Sequence, residues 1–471
     1  KPASFHNVPI THVDGMRPLE SFDVLSEIVE EMRETRGPQI VIFKVDRLAN
    51  HSNADNQKLY RSNSEIERSH GENDPLKLSR IYLLEQGISE AELNALELET
   101  KKQVRAALEV ARKGTQPKTC FDALKPLPKS LLDATEYRGD FSDEENRLTM
   151  LTAMRGVFDS QLAEGDDVYL LGEDIEDDKG DVFGITKGLS TKYPGRVKNT
   201  ALTESTIVGL ATGMALAGKR PVAFIQFADF MPPAYNQIAT ELGMMHWRSN
   251  GGWNAPVIVF AACGAYRPGL GPYHSQTNEA TYANIPGLDV FMPSNAADAA
   301  GMLNAAFKSG RPTLFLYPKK LLNNASVQDT TSSDVAKQLV PVGKARIVKS
   351  GQDVTLVGWG NTVGFCKEVS ETLETVGMDA EIIDLRWMSP IDVDTLRASV
   401  RKTGALVVTH EDNQTCGMAS EIITLVLEGS DMPVKVRRVT RPDTYTPCNF
   451  ANQLEVLPSY DKILEAACDV L

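Results

Sequence analysis

At 471 residues and 42% hydrophobic content, the chain is too long for one compact core and should hold about two to four domains. Its formal net charge of −14 disfavours a nucleic-acid backbone as partner, because phosphates need a basic face. No apolar run reaches the length of a membrane span, and the six scattered cysteines, with no Cys-x-x-Cys pair, argue against a zinc ribbon or disulfide framework and for a reducing compartment. The start, Lys1-Pro2-Ala3-Ser4-Phe5-His6, has neither an initiator Met nor the apolar stretch of a secretory signal.

In chain order, a helix near 21–33 leads to a strand at 39–45, followed by a polar loop over 48–61. Helices are expected at 75–86 and 90–113, the second carrying an apolar stripe of Leu93, Leu96, Val104 and Leu108. Residues 115–145, with Pro117, Pro126, Pro128 and an acidic run over 140–145, read as a solvated linker. From Leu148 the pattern changes to helices alternating with short apolar strands. Helices at 148–164, 204–217, 232–247 and 296–308 intersperse strands at 168–172, 221–227, 256–262, 289–292 and 313–317. A second linker, 323–338, is rich in Ser, Thr, Asp and Asn. Beyond it, strands at 354–357, 380–385, 405–409 and 434–436 alternate with helices at 362–376, 392–402 and 417–428. Such alternation implies mostly parallel α/β sheets.

Glu204 opens a helix on which Gly209, Gly213 and Ala217 recur at spacing four, a face another helix can approach closely. A helix N-terminus favours the carboxylate by up to about 1 kcal/mol, whereas burial raises a carboxyl pKa. Glu204 is therefore either a plain capping carboxylate or a group that shares a proton with a ligand nitrogen. His274 lies in the glycine-rich loop Gly269-Leu270-Gly271-Pro272-Tyr273-His274-Ser275-Gln276, and His51 in Arg47-Leu48-Ala49-Asn50-His51-Ser52, each just past a strand. Strand-end loops are where α/β proteins place reactive groups, although a lone loop histidine is more often merely exposed. Phe230, in Gln226-Phe227-Ala228-Asp229-Phe230, either stacks on a planar ring or packs in the core. No pair of histidines has metal spacing.

Together these segments resemble one family over nearly the whole chain. Residues 148–471 resemble the beta subunit of the decarboxylase component of 2-oxo acid dehydrogenase complexes, through Leu171-Gly172-Glu173, Leu202-Thr203-Glu204, Ile225-Gln226-Phe227-Ala228-Asp229-Phe230, Tyr273-His274-Ser275-Gln276, Pro286-Gly287-Leu288 and Asp353-Val354-Thr355-Leu356-Val357-Gly358-Trp359-Gly360. Residues 9–114 resemble the C-terminal third of the alpha subunit, through Val13-Asp14-Gly15, Arg47 with His51-Ser52, Tyr60-Arg61-Ser62 and Asp74-Pro75. The order suggests a fused chain.

The resemblance implies an α/β thiamine-diphosphate-binding fold: the tail of a diphosphate-binding domain at 1–114, a linker at 115–145, a pyrimidine-binding domain at 146–325 and a transketolase C-terminal-like domain at 338–471. It implies that Glu204 bonds the aminopyrimidine of thiamine diphosphate, where a shared proton activates the thiazolium carbon. Glu173 matches a second acidic residue there, with a purely structural role equally open, and Phe230 an aromatic that stacks on the pyrimidine. His274 and His51 match two active-site histidines, one serving the substrate and its intermediates and the other transfer to lipoamide. Arg47 matches an anchor beside His51, and Ser52 a serine phosphorylated in mitochondrial relatives.

No Gly-Asp-Gly occurs, so the Mg2+ ligands are expected outside this sequence, and the chain alone should hold only the pyrimidine end of the cofactor. Where relatives bind potassium through an Asp and an Asn, Ser309 and Arg311 stand here, and the guanidinium fills the cation's place. The implied reaction is decarboxylation of a 2-oxo acid, branched-chain rather than pyruvate, with acyl transfer to the lipoyl group of an acyltransferase core. The alternatives are a transketolase-like sugar enzyme and a non-catalytic scaffold docking such a core. A homodimer of fused chains is expected, in the cytoplasm, or in the mitochondrial matrix if the source is eukaryotic, with no nucleic acid or membrane as partner.

Overall fold

The computed structural model describes residues 4–5, 7–116, 122–140 and 147–471, and divides into two compact units, 1–118 and 119–471. In the first, β1 (Ser4–Phe5), β2 (Val8–Asp14) and β3 (Ile40–Lys44) form a three-stranded sheet. β2 and β3 run parallel, so the chain must cross over between them. The crossover helix, Pro18–Thr35, starts on a proline and stops at Arg36, whose left-handed backbone (φ 55) lets its N–H cap the Met32 carbonyl. The core of this unit is thin. Val13, Met16, Ile28 and Leu93 are its buried apolar residues among those described. On helix Glu90–Lys113 the stripe expected from the sequence exists, but Leu96, Val104 and Leu108 are exposed.

The second unit contains two sheets. The strands of the first part are β4 (Val168–Gly172), β5 (Val197–Asn199), β6 (Arg220–Ile225), β7 (Ile258–Cys263), β8 (Asp289–Phe291) and β9 (Thr313–Pro318). Then follow β10 (Arg346–Lys349), β11 (Val354–Gly358), β12 (Ala380–Asp384), β13 (Trp387–Ser389), β14 (Ala405–Asn413) and β15 (Lys435–Arg441). The larger sheet has the order β13-β8-β9-β7-β6-β4-β5 and the smaller β10-β12-β11-β14-β15. β13 leaves its sequence neighbours to pair antiparallel with β8, and its Trp387 ring lies 4.6 Å from that of Phe291. The two sheets thus share a strand connection as well as a core.

Three expectations fail. The segment 232–247 is not one α-helix. A short 3-10 turn at Pro232–Ala234 gives way to a π-helix at Gln237–Gly243 and an α-helix at Met244–Arg248. The wider turn accompanies a backbone contact that only glycine permits: a Cβ on Gly287 would stand 1.6 Å from the Gly243 carbonyl oxygen. Nor is the described part of the first linker a solvated tether. Tyr137 bridges to Leu339 and Leu131 is buried. Arg138 pairs with Asp298 and Asn295, and Glu136 with Arg386. Pro117 and most of the acidic run lie outside the described residues. The second polar stretch packs too, with Thr331 and Gln338 fully buried and bonded to each other at 2.8 Å.

Candidate active site

Strands β9, β7, β6 and β4 lie side by side and parallel, so their C-terminal ends share one edge. Open α/β sheets gather reactive groups at such an edge. Glu173 leaves β4, residues 226–230 leave β6, the loop with His274 leaves β7 and Lys319 leaves β9.

Glu204 is the first residue of helix Glu204–Leu216 and is half-buried. Burial and then the charge of nearby Glu204 push the Glu173 carboxyl above its ordinary pKa. Glu173 Oε1 is buried without a hydrogen-bond partner, and its carbonyl accepts a bond from the Gln226 amide. A buried carboxyl oxygen left unpaired beside a second carboxyl suits a ligand carrying N–H and ring-nitrogen groups.

The helix behind Glu204 has one buried face and one open face. Ile207, Val208, Ala211 and Ala215 are buried, but the glycine face is open, with no atom within 4 Å of a Cβ built on Gly213.

His274 is half-buried on an aromatic shelf. Its ring meets Phe227 edge-on at 4.6 Å and Phe230 at 5.5 Å, and those two rings lie 5.7 Å apart. Phe230 also packs against the core. Asp229 Oδ1 accepts the backbone N–H groups of Ser275 at 3.0 Å and Gln276 at 3.1 Å, clamping the loop just after His274. Ser275 Oγ donates to the Gly271 carbonyl at 2.6 Å. Burial raises the Asp229 pKa, against the pull of the Gln276 amide and the Lys319 ammonium.

In the first unit, Arg47, His51 and Ser52 share one loop whose organiser is Asp55. Asp55 Oδ2 accepts the His51 N–H at 2.7 Å and the Tyr60 hydroxyl at 2.7 Å, and Arg47 lies at 3.9 Å. The His51 N–H and the Tyr60 hydroxyl hold its carboxyl below the ordinary range. Arg61 closes the loop through the Arg47 carbonyl at 2.7 Å and Asp46 at 3.2 Å. His51 and Ser52 stand exposed at the tip.

Sequence reasoning missed Asp55, Asp229 and Lys319. Asp229 sat inside a recognised motif, and Lys319 was signalled only by a charge directly after an apolar strand. Arg311 lies 3.5 Å from Asp289 and donates to the Lys125 carbonyl. Among the described residues no three His, Cys, Asp or Glu side chains converge on a metal site. No described helix is long and apolar enough to cross a membrane.

Three family descriptions match the chain: dehydrogenase E1 component over residues 1–120, transketolase pyrimidine-binding domain over 146–324 and transketolase C-terminal domain over 343–463. The 2-oxoisovalerate dehydrogenase subunit beta of Pseudomonas aeruginosa is 39% identical over 315 residues, which cover 64% of this chain and 89% of that protein. The protein of the same name from Bacillus subtilis is 37% identical, covering 59% and 84%. The pyruvate dehydrogenase E1 component subunit beta of Acholeplasma laidlawii is 38% identical, covering 60% and 84%. A solved structure titled split gene transketolase, inactive beta4 tetramer, superposes with a TM-score of 0.58 at 22% identity, covering 69% of this chain and 98% of that one, and shows a shared fold.

Proposed function

The chain belongs to the family of 2-oxo acid dehydrogenase E1 components, with an E1 segment ahead of a beta-subunit-like part, and from that premise we propose that it decarboxylates a branched-chain 2-oxo acid and passes the acyl group to the lipoyl group of an acyltransferase core. The observation that carries this reading is the unpartnered Glu173 Oε1 beside Glu204, on the sheet edge that also bears the Phe227, Phe230 and His274 shelf.

That donor and acceptor set fits the aminopyrimidine half of thiamine diphosphate. When bound, the cofactor supplies the carbon nucleophile that attacks the oxo group and stabilises the electron pair left by carbon dioxide. In this reading Glu204 holds a proton at a pyrimidine nitrogen, Glu173 bonds the same ring, and Phe230 flanks its face. His274, fixed by Asp229, recognises the substrate carboxylate or donates a proton once carbon dioxide has left. On the first unit's loop, Arg47 and His51 receive the lipoyl arm, and Ser52 is a site for phosphorylation. The domain limits of 1–114, 146–325 and 338–471 with a joint at 115–145 remain our assignment. The Mg2+ belongs to the diphosphate half. The assembly we assign is a homodimer of fused chains docked on an acyltransferase core, cytoplasmic or in the mitochondrial matrix. Relatives named for 2-oxoisovalerate and for pyruvate both match, and the branched-chain assignment follows the first of these.

The test compares wild type and Glu204→Gln, each as the holoenzyme with the diphosphate-binding half, thiamine diphosphate and Mg2+ supplied, with 2-oxoisovalerate, with pyruvate and with a ketose donor. Wild type is expected to favour 2-oxoisovalerate over pyruvate in kcat/KM by about tens- to hundreds-fold, as an apolar pocket permits. The variant should be inactive yet folded by circular dichroism. A pyruvate preference, ketose transfer, or an active variant would each overturn the reading.

A further inference from the structure

Lys319 is a buried cation to which the proposed function gives no part. It follows β9, in the middle of the larger sheet, and only 2% of it is exposed. Among the described residues its Nζ has no hydrogen-bond partner. A buried ammonium without a partner is strongly unfavourable, and an apolar side chain would pack there more cheaply. Burial accordingly drags its pKa down to about 8.

Its neighbours converge on one loop. The charged and titratable groups facing it are Cys263, Asp229, Glu411 and Arg267, and its Nζ sits 5.4 Å over the Phe227 ring. Asp229 holds the end of the loop through the Ser275 and Gln276 amides. Glu411, on β14 of the smaller sheet, holds its beginning, accepting the Ala265 N–H at 2.8 Å and the Asn361 side-chain amide at 2.6 Å. Gly264 N–H donates to the Gln276 carbonyl at 3.3 Å, so the two ends meet. Burial raises both carboxyls, and Lys319 opposes it in each. Phe227, beneath the same ammonium, meets the His274 ring.

We propose that Lys319 is a positioning residue for His274: its buried ammonium lies over the Phe227 ring that the imidazole meets and faces Asp229 and Glu411, the carboxylates bonded to the two ends of the 264–276 loop, and so steadies the loop that carries the imidazole. The loop-end hydrogen bonds and the ring contacts stand on geometry; the effect on turnover rests on the proposed decarboxylase function. A buried lysine costs stability where an apolar side chain would not, and that sets Lys319 apart from an ordinary core residue.

The experiment uses the holoenzyme, with the diphosphate-binding half, thiamine diphosphate and Mg2+ supplied, as wild type, Lys319→Met, Lys319→Arg and Asp229→Asn. Amide hydrogen exchange over 264–276 is followed with the melting temperature, and decarboxylation of 2-oxoisovalerate is followed with an artificial electron acceptor. Lys319→Met should exchange about tenfold faster at Ala265, Ser275 and Gln276 and melt at or above the wild-type temperature. Its kcat should fall about tenfold with KM within about twofold. Lys319→Arg should restore most of the protection, and Asp229→Asn should loosen the 275–276 end only. Unchanged exchange in Lys319→Met, no rescue by arginine, or a protected loop in Asp229→Asn would each overturn the proposal. Faster exchange with undiminished kcat would leave the clamp standing and sink the role given to His274.

Discussion

His274 and His51 are presented in opposite ways. His274 is wedged between two phenylalanines, and the amides after it are tied to a carboxylate. His51 has its backbone N–H held by Asp55 while its side chain stands exposed. A held, half-buried imidazole suits repeated work on a small substrate, and an exposed one suits a visiting arm that must come and go. His274→Ala should therefore slow decarboxylation read with an artificial acceptor, by about a hundredfold or more as general acid–base contributions go. His51→Ala should spare that reaction and depress acylation of free lipoamide. Equal losses in both assays for both variants would refute the division. The candidate residues were legible because Glu204, His274 and His51 each sit inside a contiguous string with its own signature. Their supports were not. Asp229 acts across 46 residues on Ser275, and Glu411 reaches Ala265 across 146. No local spacing encodes such pairs.

At the scale of elements, the alternation of helix and strand was readable wherever a strand is buried on both faces. β4 has the limits expected from the sequence, and β11 is one residue longer at its end. β10 and β13 were not readable. Both are short, pair antiparallel and lie at sheet edges. The segment 122–140 misled for a different reason: its composition is that of a tether, but its charges have partners far away. Asp298 is fully buried between Arg138 and Arg386, and Arg386 also binds Glu136 at 2.8 Å. Burial pushes the Asp298 carboxyl up, but the two guanidinium groups outweigh it and hold the acid well below its ordinary pKa. Asp298→Ala would leave Arg386, itself fully buried, short of charge, at a cost of about 3–5 kcal/mol. All four tryptophans, Trp247, Trp253, Trp359 and Trp387, lie in the second unit, so urea unfolding followed by their fluorescence reports on this unit alone. A loss below about 1 kcal/mol, the value of an exposed pair, would show that the segment 122–140 is not anchored by this cluster.

At the scale of the whole molecule, one helix face of the second unit is left uncovered among the described residues. Gly209 and Gly213 are exposed on helix Glu204–Leu216, with Leu210 at 46% and Leu216 at 43% exposure. Nearby in sequence, Met244, Trp247 and Trp253 also expose apolar surface. Small residues flanked by apolar ones let a second helix approach closely, and a twofold axis brings a helix onto its own copy. The proposed homodimer offers such a copy. Gly213 separates the two outcomes cleanly because a Cβ there meets nothing within 4 Å. Gly213→Leu should leave the single chain as stable as wild type, or firmer by up to about 1 kcal/mol through helix propensity. In a dimer packed on this face, the same side chain enters a contact sized for hydrogen and forces the helices apart, an overpacking cost of about 1–3 kcal/mol at each of two symmetric positions. Sedimentation velocity over a concentration series should then show the variant dissociating at concentrations where wild type remains a dimer, with an unchanged melting curve for the dissociated chain. A variant dimer as tight as wild type would place the copy elsewhere. A variant chain that melts early would mean the face is not open, and the packing described for this helix would have to be redrawn.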